Sequence, residues 1–234
     1  MSQLAGKVAL ITGASSGIGK ATAKVFSREG ASLILAARRI EEIESLAAEL
    51  PDSIAVQTDV SQEDQVIHAF AAAMEKFGRL DILVNNAGTF GYAPIHEETL
   101  ENWEQIMSVN LRGPFLCTKE AMKIMREQKG GRIINIGSIA AHRVRPNSVA
   151  YSTSKHGIVG LTQVTALEGR DFGISCGCLH PGNVAVERLA ARQEPSMQPS
   201  ELAEAVLAMA ALPPHITMLE TIVMPMHQDY IGRG

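Results

Sequence analysis

The chain has 234 residues, of which 46% are hydrophobic and only 4% aromatic, and its formal net charge is −4. That length can bury one sizeable core. A core so aliphatic and alanine-rich suits a parallel sheet covered by helices better than a sandwich. Charges of both signs are spread along the sequence, which excludes the basic footprint of a nucleic-acid binder, and no apolar run is long enough to span a membrane.

Lys7 to Thr12 reads as a first strand, so close to the N-terminus that no signal peptide is expected. Gly13-Ala14-Ser15-Ser16-Gly17-Ile18-Gly19 follows directly, then a helical pattern through Ala21, Val25 and Phe26 to Gly30. A glycine-rich turn between a strand and a helix lets backbone N–H groups approach a pyrophosphate, and the helix N-terminus adds favourable partial charge. The spacing is Gly-x-x-x-Gly-x-Gly, not the commoner Gly-x-Gly-x-x-Gly. The second strand, Ser32 to Ala36, ends in Ala37-Arg38-Arg39. In a doubly wound sheet this end lies beside an adenosine ribose, where an acid would bind the 2′-hydroxyl. Two arginines stand there instead; the alternative, a basic cap at a helix start, sets cations against the helix dipole.

Ile54 to Gln57 is a third strand, followed by Asp59-Val60 and by Ser61-x-x-Asp64, which resembles a capping box. Asp81 to Val84 is the fourth strand and runs into Asn85-Asn86-Ala87-Gly88, a turn at the carboxyl edge where ligands bind in open α/β sheets. A long helix is expected from about Leu100 to Glu127, with an apolar stripe of Trp103, Met107, Leu111, Phe115 and Met122. Gly113-Pro114 should kink or interrupt it. Asn110, just before that break, is either a surface polar residue or one that turns its side chain, or a freed carbonyl, toward the end of the fifth strand.

That fifth strand, Arg132 to Ile136, leads to Ser138, and a loop then reaches Tyr151 and Lys155 at the start of a long helical stretch. Residues four apart share a helix face, so phenol and ammonium can point into one space. A nearby ammonium favours phenolate, and a tuned tyrosine can exchange a proton with a carbonyl or alcohol oxygen near neutral pH. Ser138 could hydrogen-bond the same oxygen. An ordinary surface Tyr–Lys pair would show the same spacing. Ile174 to Leu179 is the sixth strand and runs into His180-Pro181-Gly182-Asn183-Val184, a turn at the same edge. Gln198 to Met209 is a helix and Thr221 to Met224 a last strand. The alternation reads as one domain over residues 1–234, a doubly wound parallel sheet with helices on both faces. Cys117, Cys176 and Cys178 read as buried reduced thiols rather than metal ligands, since no His/Cys pair has ligand spacing; a reducing cytoplasm fits.

With Thr12 to Gly19, Asn85 to Gly88, Asn110, Ser138, Tyr151, Lys155 and Pro181-Gly182 in order, the chain resembles the short-chain dehydrogenase/reductase family over essentially its whole length. The resemblance implies a Rossmann-type α/β sheet of seven strands in the order 3-2-1-4-5-6-7 with a nicotinamide cofactor across its carboxyl edge. It implies Tyr151 as general acid/base, Ser138 as binder of the substrate oxygen, Lys155 on the nicotinamide ribose, and Asn110 holding a proton-relay water. It also implies cofactor contacts from Gly13, Ser15, Ser16, Gly17, Ile18 and Gly19, from Asp59 and Val60 at the adenine, and from Asn86, Ala87 and Gly88. Tyr151, Lys155, Pro181, Gly182 and Val184 would complete them on the nicotinamide side.

Three features depart from the pattern. Val186 stands where many members have a threonine that bonds the carboxamide. Only Glu187 to Pro199 separates the Pro-Gly turn from the next helix, an abbreviated lid. The ending from Leu219 to Pro225 lacks the glycines of acyl-carrier-protein reductases, which argues against a role in fatty-acid synthesis. The expected activity is hydride transfer between a nicotinamide cofactor and a carbonyl or secondary alcohol. A silent dinucleotide-binding or sensing protein, or an epimerase or dehydratase on the same fold, are the alternatives. NADP is expected over NAD: Ala37 replaces the acid that would repel a 2′-phosphate, and Arg38, supported by Arg39, can bond it. His142, Arg143, Arg145, Arg188 and Arg192 could favour a carboxylate-bearing substrate, although solvation at the surface explains them better. A homo-oligomer, tetramer or dimer, is expected from the helices around Trp103 and Lys155. No membrane or nucleic-acid partner is expected.

Overall fold

The computed structural model describes residues 2–186 and 194–229. Arg188 and Arg192, and most of the expected lid, lie outside the described residues. Seven strands form one parallel sheet in the order β3-β2-β1-β4-β5-β6-β7. They are β1 (Val8–Thr12), β2 (Ser32–Ala37), β3 (Ser53–Gln57), β4 (Ile82–Asn85), β5 (Gly131–Ile136), β6 (Ile174–Pro181) and β7 (Glu220–Val223). The central strands are apolar on both sides, as a sheet covered by helices on both faces requires. Side chains alternate across them: Ala9, Ile11, Leu33 and Leu35 pack with α1 (Gly17–Arg28), α2 (Ile40–Glu49) and α7 (Pro199–Ala210). Val8, Leu10, Ile34 and Ile133 pack on the other face with α3 (Glu63–Phe77) and α5 (Gly113–Gln128). The order reverses between β1 and β4, which opens a crevice at the carboxyl edge where Thr12, Ala37, Asn85 and Ile136 end their strands.

Two local expectations are corrected. Ser61-x-x-Asp64 forms no capping box. The Ser61 hydroxyl donates to Asp59 Oδ1 at 2.7 Å, and Gln62 becomes the residue before α3, with no side-chain cap. The aspartate two residues upstream outcompetes the helix end for the serine. A capping box does form at α7, where Glu201 accepts from the Gln198 N–H at 2.7 Å.

The second correction concerns the long helix. It is α4 (Leu100–Met107), then a π-helical segment, Ser108–Arg112, then α5. The break therefore falls just before Gly113-Pro114, where the backbone stays helical and Pro114 has no N–H to continue the ladder. The face turned to the core carries Ile106, Val109, Leu116, Cys117, Ala121 and Met125. The expected stripe lies one residue, roughly 100° of helix rotation, to the side. Trp103, Met107, Leu111 and Met122 are half-buried there, and Phe115 is 50% exposed. Among the described residues no helix is long and apolar enough to cross a membrane.

Candidate active site

The glycine turn is held by side chains from the neighbouring strand. Thr12, at the end of β1, accepts from the N–H groups of Asn86 and Ala87, each at 3.0 Å, and donates to Val84 O at 3.3 Å. The Asn86 amide donates back to Thr12 O at 2.8 Å and Gly13 O at 3.2 Å. Gly13 has a φ of +66°, and a Cβ there would come within 2.9 Å of Ala87 Cα. A Cβ on Gly19 would run into Gly13 O and the Asn86 amide. These two positions exist only as glycine. Ser16 precedes α1 and its side chain caps nothing, so the first N–H groups of the helix are left for an anion.

At the end of β2, Ala37 is buried and Arg38 and Arg39 are exposed. Gln57 donates to Arg38 O at 3.1 Å, while the Arg38 guanidinium has no hydrogen-bond or ion-pair partner among the described residues. Arg39 is engaged: it donates to Ser15 Oγ at 3.1 Å and lies 3.5 Å from Glu42. Asp59 spends one carboxylate oxygen on Ser61, and Val60 is buried beneath Gly113.

Across the crevice, α6 (Val149–Gly169) begins with Tyr151 and Lys155 one turn apart. Lys155 is buried; its ammonium donates to Ile136 O at 2.8 Å and lies 5.8 Å from the centre of the Tyr151 ring. Burial penalises its charge and brings its pKa down to about 8. Ser138 leaves β5 in extended backbone, and its hydroxyl accepts from the Ala140 N–H at 3.1 Å. Asn110, inside the π segment, is buried. It accepts from Thr89 N at 2.8 Å and donates to Thr89 O at 2.8 Å and Ser154 Oγ at 3.2 Å, tying the loop after β4 to α6.

One cavity of about 1020 Å³ collects these groups. Ser138, Tyr151 and Lys155 line it, with Gly13, Ser15 to Ile18, Arg38, Arg39, Asp59, Val60, Asn86 to Gly88, Pro181, Gly182 and Val184. Two expected residues do not: Gly19 is buried under the turn, and Asn110 stands behind the wall. Val186 also lines the cavity and lies against Gly17, offering a methyl surface where a hydroxyl was the family pattern. Arg143, which is exposed, and Arg145 line it too. Arg145 is neutralised by Glu194 at 3.1 Å, while the Arg143 side chain has no partner among the described residues. His142 faces elsewhere, toward Glu220.

The sequence reading missed Thr89, Phe90, Tyr92 and Gln105 in the cavity wall. Phe90 and Tyr92, with ring centres 5.7 Å apart, are two of only ten aromatic residues, and that scarcity was the available signal. All three cysteines are buried and unbridged, and burial pushes Cys117 and Cys178 up to about 12.

Comparison with known proteins agrees with this geometry. Residues 7–196 match the family described as short chain dehydrogenase. The chain is 44% identical to the uncharacterized oxidoreductase YxjF of Bacillus subtilis over 182 residues, covering 76% of this chain and 71% of that one. It is 38% identical to a 3-oxoacyl-[acyl-carrier-protein] reductase of Synechocystis over 192 residues, 80% and 78% of the two chains. An uncharacterized oxidoreductase of Staphylococcus aureus strain USA300 is 34% identical over 230 residues, 96% of this chain and all of its own. The chain belongs to the short-chain dehydrogenase family.

Proposed function

We propose that this oxidoreductase transfers a hydride between NADP(H) and a carbonyl or secondary-alcohol substrate. The observation that carries the proposal is the opening of Ser138, Tyr151 and Lys155 onto the same cavity as the glycine turn. The nicotinamide supplies the hydride when bound. The chain's own residues fit it: two glycine positions with no room for a Cβ, an uncapped helix N-terminus for the pyrophosphate, and Lys155 for a ribose. In reduction, the Tyr151 hydroxyl gives its proton to the substrate oxygen and the Ser138 hydroxyl holds that oxygen; in oxidation the proton returns. Asn110 serves from behind, fixing the loop from β4 against α6.

The choice of NADP rests on Ala37 and Arg38. With no acid at Ala37, nothing at this strand end repels a 2′-phosphate, and the Arg38 guanidinium is open to bond it. Charge-assisted bonds of this type contribute roughly 1.5–3 kcal/mol, a tenfold to hundredfold preference. The unpaired Arg143 supports a substrate with an anionic group. Phe115, Leu100, Val164 and Leu167, exposed along α4, α5 and α6, support a homo-oligomer, a tetramer or dimer, and the three unbridged cysteines are consistent with a reducing cytoplasm.

A screen of ketones, aldehydes and alcohols, following cofactor absorbance with both cofactors, tests the whole reading. Turnover of at least one such compound is expected, with kcat/KM at least tenfold higher for NADP(H) than NAD(H). The double variant Ala37→Asp/Arg38→Ala should reverse that preference. Wild type favouring NAD(H) would remove the role given to Arg38, and cofactor binding without turnover across the screen would favour the silent binding protein.

A further inference from the structure

Behind Ser138, away from the cavity, His142, His180 and Glu220 converge so that one ligand atom from each lies within 4.8 Å of the others. They come from three separate segments: the short turn after Ser138, the end of β6 and the start of β7. His142 Nε2 is 2.8 Å from Glu220 Oε1, and His180 Nε2 is 3.1 Å from the same oxygen. The two rings meet edge to face with centroids 4.7 Å apart.

The decisive member is His180, whose side chain is 0% exposed. Its Nδ1 lies 2.9 Å from Ser138 O and 3.3 Å from Ser138 N. In the tautomer matched to the shorter contact, Nδ1 carries the ring proton and donates it to the carbonyl, and Nε2 keeps a lone pair. That buried Nε2 makes no hydrogen bond, although Glu220 Oε1 is close, because the oxygen stands off the direction in which the nitrogen points. A buried lone pair facing a carboxylate off-axis is unfavourable by itself. It becomes favourable when a cation stands on the lone-pair axis and the carboxylate reaches it from the side.

We infer that His142, His180 and Glu220 form a site for a divalent cation of the zinc class. Imidazole and carboxylate together suit such ions. Bonds of about 2.0–2.2 Å in a tetrahedral shell put neighbouring ligand atoms roughly 3.3 Å apart. The 2.8 and 3.1 Å separations from Glu220 need only a small spread to reach that, while the two histidine nitrogens, within 4.8 Å of each other, must draw together around the ion. The Nδ1 bond to Ser138 O is the outer-shell anchor that metal-ligating histidines commonly have. Half-exposed His142 and Glu220 leave the ion a path from solvent and a fourth position for water. A cation there ties the edge strand β7 to the backbone of Ser138, so its occupancy bears on how firmly that serine is held.

The test uses the full chain without an affinity tag, stripped with a chelator and titrated with Zn²⁺, then with Co²⁺ as a coloured probe. One ion per chain is expected at micromolar or tighter affinity, with the visible absorption of four-coordinate cobalt and a rise in the thermal midpoint. His142→Ala and Glu220→Ala, both at partly exposed positions, should each weaken binding at least about tenfold. His96→Ala, a change at an exposed histidine elsewhere, should leave it unchanged. No binding to wild type, or equal affinity in wild type and the two ligand variants, overturns the inference.

Discussion

From β1 to the residue just after β3, the buried polar residues are three threonines: Thr12, Thr22 and Thr58. From β4 onward the buried polar groups are larger and joined. Asn85 donates to Thr118 at 3.2 Å and to Asn135 at 2.8 Å, and Asn135 donates to Thr162 at 2.9 Å. Lys155, Ser138 and His180 are buried in the same half. The difference follows from what each half offers the cavity. The first half meets a ligand with backbone N–H groups and absent side chains, so an apolar core beneath it suffices. The second half acts with side chains, whose charges and hydroxyls must be oriented in a low-dielectric surround, so polar groups continue inward to hold them.

Substitutions should separate the two halves by what they abolish. Tyr151→Phe removes one hydroxyl from the side-chain half and should cut kcat by about a thousandfold or more, with cofactor affinity within a few-fold of wild type. Steady-state kinetics beside fluorescence titration of the cofactor measures both; near-normal kcat would break the division. Gly19→Ala adds a Cβ to the backbone half, against Gly13 O. Its expected effect is the converse, a loss of about hundredfold in cofactor affinity, seen in the same titration. Asn135→Ala, inside the polar network, leaves the Asn85 amide and the Thr162 hydroxyl short of a partner. Urea denaturation should show it destabilised by about 2 kcal/mol, and an unchanged midpoint would mean that the network does not support the sheet.

The same contrast explains what was legible in the sequence. Strands betray themselves by apolar runs, and the glycine turn is written as glycine because its close contacts lie within a short stretch of chain. The strands, the turn from Gly13 to Gly19 and the pairing of Tyr151 with Lys155 were therefore readable from residue order and spacing, while the sheet order came with the family resemblance. What escaped depends on distant partners or on competition. The flank through Met107 and Met122 and the buried face through Ile106 and Ala121 differ by one residue in a helix that is apolar on both, and only its packing partners decide between them. Ser61 chose Asp59 over the helix end. His142, His180 and Glu220 lie 38 and 40 residues apart in the chain, and no ligand spacing joins them until β7 is laid beside β6.

A last effect, read as a slope against pH, is also specific to the side-chain half. Lys155 is buried there, and desolvation holds its pKa at about 8 against an unfolded value near 10.5, with the neighbouring Cys178 opposing that fall only weakly. Between those two values the unfolded chain carries a proton that the folded chain has released. Stability therefore rises with pH across that window, with a slope of at most about 1.4 kcal/mol per pH unit, and is flat in this contribution below it. Other groups titrate at the same pH, so the measurement is a difference between wild type and Lys155→Met, which keeps the aliphatic stem and never carries charge. Urea denaturation of both from pH 7 to 10.5 should show wild type gaining on the variant above pH 8. A constant gap across the series would mean that the lysine meets water or a counter-charge in the folded chain. The side-chain half would then be no drier than the backbone half opposite it.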